Sequence, residues 1–218
     1  AAAKPLLASL RSPWRMAARY EQVLDDLLAA GFTSVASPGF NVPALLARWS
    51  ASRRGQPRIR QFFYLTRDEL GALPARPDRA NPFFRIQGVK LWHDGSPYTG
   101  SMFLDAPYLD SALARSLGIP SGSRGEPMLA PADLDAEIAQ RERAGWQVAV
   151  HSQGDASNRA VAAAFARAPA LAADAPPRRI EHCMLLPEAL LDELVRIGAS
   201  PSFHIDHLFY YGDALADS

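Results

Sequence analysis

The chain has 218 residues, 48% of them hydrophobic, which is enough to bury the core of one large domain or two small ones. Its 23 Lys and Arg residues balance 23 Asp and Glu residues, and no basic stripe with interleaved aromatic residues argues for a nucleic-acid surface. The single cysteine, Cys183, excludes an internal disulfide and any zinc cluster built on two or more thiolates.

The first half of the chain predicts a helix followed by three strands. Apolar residues at helical spacing, ended by Gly31, mark the helix: Tyr20, Val23, Leu24, Leu27 and Leu28. Phe32 to Ala36 is predicted as a short strand, and Ile59 to Leu65 as a second apolar strand. The Pro-rich stretch LPARPDRANP predicts a loop before a third strand, Ile86 to Trp92.

The second half alternates helices and strands more clearly. Pro131 begins a helix that Gly145 ends, and Trp146 to His151 forms the next strand. An alanine-rich helix follows over residues 157–168, and then a strand over Arg179 to His182. Pro187 opens a helix that Gly198 closes, before a last strand from Ala199 to Ile205; the residues predicted to face inward are Leu190, Leu191, Leu194 and Val195.

Strands that alternate with helices indicate an α/β fold with a parallel sheet. An open doubly wound sheet and a (β/α)8 barrel both place polar residues at the carboxyl ends of the strands. The sequence has no GxGxxG after the first strand and no GxxxxGK[ST] anywhere, so the nucleotide-binding version loses its main support. A barrel is favoured, although six strands cannot close an eight-stranded one.

Two histidines end neighbouring predicted strands. His151 ends WQVAVH and begins HSQGD, and His182 follows RRIE in the same way. Either one alone is better explained as a hydrogen-bonded structural histidine. Two of them at the same edge of a parallel sheet favour a metal site, because neutral imidazole is a common zinc ligand.

Lys90 lies between Val89 and Leu91 in a strand that should be buried. A buried lysine is costly unless its charge is paired or chemically changed. Lys90 could form a Schiff base, act as a base of lowered pKa, or add carbon dioxide to become a carbamate ligand. A buried stem with the ammonium group reaching solvent is the alternative without chemistry.

Four segments in order, VKLWHDGS, VAVHSQGD, RRIEHCMLLPE and SPSFHIDH, together resemble the amidohydrolase superfamily. The resemblance is to the amidohydrolase 3 branch, which includes N-substituted formamide deformylases, and it covers roughly residues 20–213. It implies a (β/α)8 barrel that holds one or two divalent metals, commonly zinc. It also implies that Lys90 is a carboxylated lysine ligand on the fourth barrel strand, and that His151 and His182 are the ligands on the fifth and sixth.

Several other residues follow these strands and could surround such a site. Asp94 and Asp155 stand in Asp-Gly and Gly-Asp turns, where a turn or cap role is expected; behind the ligands, they could also orient them. His204 and His207 could contact substrate or move a proton, or be loop residues. Tyr108 could line a substrate pocket, as could Tyr210 and Tyr211, although surface packing explains all three equally.

Two parts of the family pattern have no counterpart in the sequence. The family has His-x-His on its first strand and an Asp on its eighth, whereas the earliest histidine here is His93 and the chain stops at Ser218. His204 and His207 stand at the wrong end and have the wrong spacing for the His-x-His pair. We expect an internal segment, strands two to seven, that forms one partial barrel domain over residues 1–218 and depends on a partner, either a second copy or the rest of its own barrel.

The leading functional expectation is a metal-dependent hydrolase of C–N bonds other than peptide bonds, in amides, formamides or cyclic amides, with a metal-activated water attacking the carbonyl. The alternatives are a degenerate barrel that acts as a binding or interaction module, and Schiff-base chemistry at Lys90. No apolar run approaches the ~20 residues that span a membrane, and the first residues lack an apolar signal core. We therefore expect a cytoplasmic protein with a small-molecule substrate.

Overall fold

The computed structural model describes residues 13–38, 59–72, 74–78 and 80–216. The chain divides into two compact units, Ala1–Gln87 and Gly88–Ser218. The division falls inside a single strand, Phe84–Trp92, so that strand begins in the first unit and ends in the second. The first residues, which are predicted to lack an apolar signal core, largely lie outside the described ranges.

The first unit contains the predicted helix and two of the predicted strands. Helix α1 spans Pro13–Ala29, and strands β1 and β2 span Ser34–Pro38 and Arg60–Thr66. Gly31, at a φ of 92°, adopts the left-handed conformation that lets the chain leave the helix. A 3-10 helix, Arg67–Ala72, follows β2.

Parallel pairing organises this unit. Strand β1 pairs with β2 in parallel register. The backbone N–H of Gln61 in β2 also donates to the carbonyl of Phe83 at 2.8 Å, immediately before β3 begins at Phe84. Tyr20 in α1 donates a hydrogen bond to the side chain of Gln61, which joins the helix to the strand.

The second unit carries the remaining elements. In chain order they are the rest of β3 (Phe84–Trp92), a 3-10 helix (Pro97–Thr99), α2 (Ala112–Ser116), α3 (Pro131–Arg143), β4 (Gln147–Ser152), α4 (Asp155–Arg167), β5 (Arg178–His182), a second 3-10 helix (Glu188–Leu190), α5 (Leu191–Arg196), β6 (Ala199–Phe203) and α6 (Asp206–Ala216).

The six strands of the sheet follow one another in chain order, β1 to β6. The registers of β3 with β4, β4 with β5 and β5 with β6 are all parallel. Every residue of β4 is buried, as expected for an interior strand of a parallel sheet covered on both faces. The predicted α/β fold with a parallel sheet is confirmed.

The helix after Pro187 differs from its prediction. Leu190 and Leu194 are buried, but Leu191 is 43% and Val195 80% exposed. The prediction that all four face inward is wrong because the element is a 3-10 turn followed by six α-helical residues, Leu191–Arg196, too short to bury a wide stripe.

The end of the described chain also differs from its prediction. Strand β6 ends at Phe203, two residues before the predicted Ile205. The segment after it forms helix α6, Asp206–Ala216, so His207 stands in the first turn of a helix and His204 in the short connection before it.

Candidate functional site

Strand register places the predicted ligands at one edge of the sheet. Trp92 pairs with His151, and Lys90 with Ala149 two residues earlier, so Lys90 and His151 point to the same face of the sheet. His151 pairs in turn with Glu181 on β5. These side chains therefore converge near the carboxyl ends of β3, β4 and β5, the edge at which parallel α/β sheets form their sites.

His182 reaches the same region through an unusual backbone conformation. It pairs with Ser152, so regular alternation would turn its side chain to the face opposite His151. His182 and Cys183 instead have φ values of 79° and 49°, in the left-handed region that few residues other than glycine adopt. The two rings, of His151 and His182, lie with their centroids 4.5 Å apart. Such strained backbone is typical of functional positions.

The hydrogen bond of His151 indicates which ring nitrogen is available to bind a metal. Its Nε2 lies 3.0 Å from the carbonyl oxygen of Gly95. Because a carbonyl only accepts hydrogen bonds, Nε2 carries the proton and Nδ1 keeps its lone pair. Burial lowers the pKa of His151 to about 4, with the charge of Lys90 a smaller contribution, so the ring is neutral.

His182 belongs to a row of imidazoles that continues away from His151. Its Nδ1 lies 3.4 Å from Nδ1 of His204, and the rings of His204 and His207 are 4.0 Å apart between centroids. Burial, and then the charges of His151, Lys90 and His204, lower the pKa of His182 to about 3. Of the two histidines predicted to contact substrate, the structure therefore places His204 against the predicted ligand His182, and His207 against His204.

Lys90 is completely enclosed. Only 1% of its surface is exposed, so the interpretation in which its ammonium group reaches solvent is wrong. Its Nζ donates to the carbonyl of Leu91 at 3.4 Å and lies 4.8 Å from the ring centroid of Trp92. Burial lowers the pKa of the amine to about 7, against the opposing effect of Glu181. Part of the amine is thus unprotonated at neutral pH, as carbamate and Schiff-base formation both require.

Glu181 is a buried carboxylate that the sequence analysis missed. Arg179 forms a two-pronged ion pair with it, at 2.6 and 3.1 Å. Desolvation raises the pKa of Glu181, but the hydrogen bonds and charge of Arg179 outweigh it and hold the pKa below its usual range. The register between β4 and β5 could have identified Glu181, because Glu181 pairs with His151.

Asp94 and Asp155 have different roles, although both stand in glycine turns. The carboxylate of Asp94 is fully buried, accepts backbone hydrogen bonds at 2.9 to 3.1 Å, and lies 3.6 Å from Nε2 of His151. The backbone donors are the N–H groups of Phe103, Gln153 and Gly154. Asp155 accepts from the N–H groups of Asp105 and Ala156 and makes no described contact with the histidines.

The three tyrosines predicted as possible pocket residues also differ in their surroundings. Tyr108 is buried in a cluster with Met102 and Leu104, and its hydroxyl is satisfied by the backbone N–H and carbonyl of Met102, at 3.0 and 3.3 Å. Tyr210 and Tyr211 are exposed on α6. The ring of Tyr211 lies 5.0 Å from that of Tyr98, which packs at 5.9 Å against His207.

The donor chemistry fits a divalent metal in part. His151 and His182 supply two adjacent imidazoles held neutral by burial, as metal ligation requires. Within residues 13–38, 59–72, 74–78 and 80–216, no three His, Cys, Asp or Glu side chains are grouped so as to hold a metal ion. A third ligand from these residues would therefore have to come from another residue type, and Lys90 is the candidate on the same face.

Comparison with known proteins identifies the family. The model of the Amidohydrolase family matches residues 2–218. The chain belongs to the amidohydrolase family. No curated relative matches it. Across the helices in the described part of this amidohydrolase, none is both long and apolar enough to cross a membrane.

Solved structures support the same placement. The amidohydrolase chain is similar to an uncharacterized metal-dependent hydrolase from Pyrococcus furiosus (26% identity, 86% of this chain covered, TM-score 0.67) and to one from Pyrococcus horikoshii OT3 (25%, 88%, 0.68). The chain spans 37% of the length of each. A Xaa-Pro dipeptidase with methionine bound in its active site shares the fold at 15% identity, with a TM-score of 0.57, 94% of this chain covered and 50% of its own.

These likenesses, with the six strands in chain order, confirm the predicted fold class, an incomplete (β/α)8 barrel type.

Proposed function

We propose that this chain carries part of the metal centre of a hydrolase that cleaves C–N bonds in small amides, formamides or cyclic amides. The observation that carries the proposal is the pair of neutral imidazoles, His151 and His182, 4.5 Å apart at adjacent strand ends. Family membership and the two metal-dependent hydrolase neighbours support hydrolysis. The metal, which we propose to be zinc, and the bond cleaved are part of this proposal.

The residues of the chain have distinct tasks in it. His151 offers Nδ1 because Nε2 is bound to the Gly95 carbonyl, and His182 offers its ring from the left-handed strand end. Lys90 supplies the third ligand once its free amine has added carbon dioxide, with loss of one proton, to give a carbamate anion. A bound divalent metal lowers the pKa of a water molecule and polarises the substrate carbonyl.

The surrounding residues hold the proposed ligands in position and keep water away from them. Asp94 connects the segments after β3 and β4 beside His151 by accepting backbone hydrogen bonds from both. Glu181 covers the same face of the sheet, and its charge is paired with that of Arg179. His204 and His207 extend from His182 to where a substrate would lie. A buried, water-poor site makes each of these charges more effective than in solvent.

Metal content of the full-length protein tests the proposal. Wild-type protein should bind zinc stoichiometrically and hydrolyse simple amides, whereas Lys90→Ala and His151→Ala should lose most of the metal. His93→Gln is the matched control, because His93 is also buried but its ring is hydrogen-bonded to Ser157 at 2.8 Å. Unchanged metal content in both site variants would refute the proposal. Activity on Xaa-Pro dipeptides but not on simple amides would refute the bond assignment.

A separate experiment distinguishes a carbamate at Lys90 from a Schiff base. A carbamate predicts a carbonyl carbon signal in NMR spectra of protein supplied with ¹³C-bicarbonate, absent in Lys90→Ala. The Schiff-base alternative predicts instead that borohydride traps a carbonyl substrate on Lys90. Trapping without the bicarbonate signal would decide against the carbamate.

A non-catalytic binding module is the second candidate function. It is favoured by the lack of a three-residue His, Cys, Asp or Glu group within the described residues. It predicts a full-length protein that folds without metal and binds small amides without turnover. Equilibrium binding with no product after prolonged incubation in zinc would support it over the hydrolase.

A further inference from the structure

A cavity of about 330 Å³ opens beside the row of imidazoles formed by His182, His204 and His207. Its walls come from the loop after β3, the first residue of α4, the segment after β5 and the first turn of α6. The apolar residues that line it include Met102, Leu104, Tyr108, Leu109, Met184 and Leu208. Its volume is at the lower end of the ~300–1,000 Å³ typical of small-molecule sites.

The cavity adjoins the candidate centre directly. A neighbouring cavity of about 390 Å³ is lined by His182, His204 and His207, and the two cavities share Met184 and Leu208. Met184 follows His182 by two residues, and Leu208 follows His207. A molecule whose reacting bond lies against the imidazoles could therefore extend a substituent past these two side chains into the first cavity.

The lining selects for an uncharged group. Among the described lining residues, Asp155 alone carries a charge, and one of its oxygens already accepts two backbone hydrogen bonds. The hydroxyl of Tyr108 is satisfied by Met102. The walls thus present apolar side chains and one carboxylate, and neither can pair with a negative charge.

The wall formed by the loop is preorganised. Leu104 N–H donates to the Arg124 carbonyl at 2.8 Å and Tyr108 N–H to the Ser123 carbonyl at 2.9 Å. Buried Met102, Leu104 and Tyr108 pack with Ala114, Ile119 and part-buried Met184. A wall held in this way does not have to be ordered when a ligand binds, so apolar contact there contributes more fully to affinity.

We infer that this cavity binds an uncharged, branched alkyl or small aromatic substituent of the substrate, and that Leu109 and Met184 help to determine that specificity. The inference rests on the proposed amide hydrolase for its link to catalysis. The cavity and its apolar walls are independent of that proposal.

The first test compares two amides that differ in one substituent, isopentyl in one and 2-carboxyethyl in the other. Isopentyl and 2-carboxyethyl have nearly the same shape, so the pair isolates charge. The zinc-loaded full-length protein should prefer isopentyl over 2-carboxyethyl by at least ~100-fold in kcat/KM, because an unpaired carboxylate is costly in an apolar cavity. Equal rates for the two would overturn the inference.

Two matched variants test whether the preference for isopentyl arises in this cavity. Leu109 lines the cavity and is 58% exposed, so Leu109→Arg should fold and place a cation at the wall. It should lower the isopentyl preference by at least ~10-fold. Leu117→Arg makes the same change at a leucine that is 43% exposed and does not line the cavity, and it should leave the preference unchanged. Equal effects of both variants would refute the assignment.

A binding measurement separates this inference from the proposed function. Ligand-observed NMR should show saturable binding of 3-methyl-1-butanol, but not of its charged counterpart 3-hydroxypropanoate, to wild-type and Leu117→Arg protein. Leu109→Arg should weaken the alcohol at least ~10-fold. Binding with no turnover of any amide would reject the hydrolase and keep the cavity. Absence of saturable alcohol binding would mean that the cavity is closed or filled by protein, and the inference would be wrong.

Discussion

The buried carboxylate of Asp94 should be among the most costly side chains to remove. It is fully enclosed, Oδ1 accepts from Gln153 N–H at 3.0 Å, and Oδ2 accepts from the N–H groups of Phe103 and Gly154 at 3.1 and 2.9 Å. Leaving a buried donor without an acceptor costs about 1–3 kcal/mol. Asp94→Ala orphans all three, so we expect a loss of roughly 3–6 kcal/mol in the free energy of unfolding, allowing for non-additivity.

Asp94→Asn should cost less. Its single amide oxygen can replace Oδ2 and keep the Phe103 and Gly154 bonds, which leaves its NH₂ group against the N–H of Gln153. One lost bond predicts about 1–3 kcal/mol. The ordering of the two variants, Ala worse than Asn, follows from the number of donors orphaned and not from the loss of charge.

Urea unfolding followed by circular dichroism measures both variants on the full-length protein. Asp155→Asn is the control, because Asp155 is only part-buried and uses a single oxygen to accept its two backbone bonds. We expect that control to lose less than ~1 kcal/mol. Losses below ~1 kcal/mol for Asp94→Ala, or equal losses for Ala and Asn, would refute the argument that this carboxylate organises the turns beside His151.

Two further predictions concern pH and steric fit. Burial lowers the pKa of His93 to about 4, so its contribution to stability is complete above pH 6.5 and is lost as the pH falls towards 4. Wild type should lose about 2 kcal/mol more than His93→Gln between pH 7.5 and pH 5 in urea titrations, and parallel curves would contradict this. A Cβ at Gly154 would lie 1.8 Å from the Phe103 carbonyl oxygen, so Gly154→Ala should displace that loop and cost about 1–3 kcal/mol. Gly212→Ala is its control, since an added Cβ there meets nothing within 4 Å, and a thermal midpoint equal to that of Gly154→Ala would show that the clash is absorbed.

Much of the fold was predictable because its signals are local. The prolines and glycines that bound α3, and the apolar run of β4, lie within a few residues of the structure that they determine. The same holds for Lys90 and His151, whose strand positions follow from alternation and register. Their proximity is a consequence of parallel pairing, which the order of elements already indicates.

What the sequence analysis missed depends on distant residues. The N–H donors to Asp94 come from positions 9, 59 and 60 residues away, so a single Asp-Gly turn carries no sign of them. The length of α6 was missed because Asp206, the acidic residue in its first turn, is a weak start signal by itself and Gly212 interrupts the helical pattern. The exposure of Val195 depends on how short α5 is, and helix ends are poorly determined by hydrophobic spacing alone.

The left-handed backbone at His182 makes the two histidines unequal as targets for redesign. At φ 79°, a β-branched or bulky side chain is strained, while Asn, Asp and Gly tolerate the conformation. His151 has no such restriction, because it continues an ordinary strand. Attempts to change the proposed ligand set should therefore vary residue 151 broadly and limit residue 182 to side chains that accept a positive φ, so one wall of the proposed site is chemically adaptable and the other is constrained by its main chain.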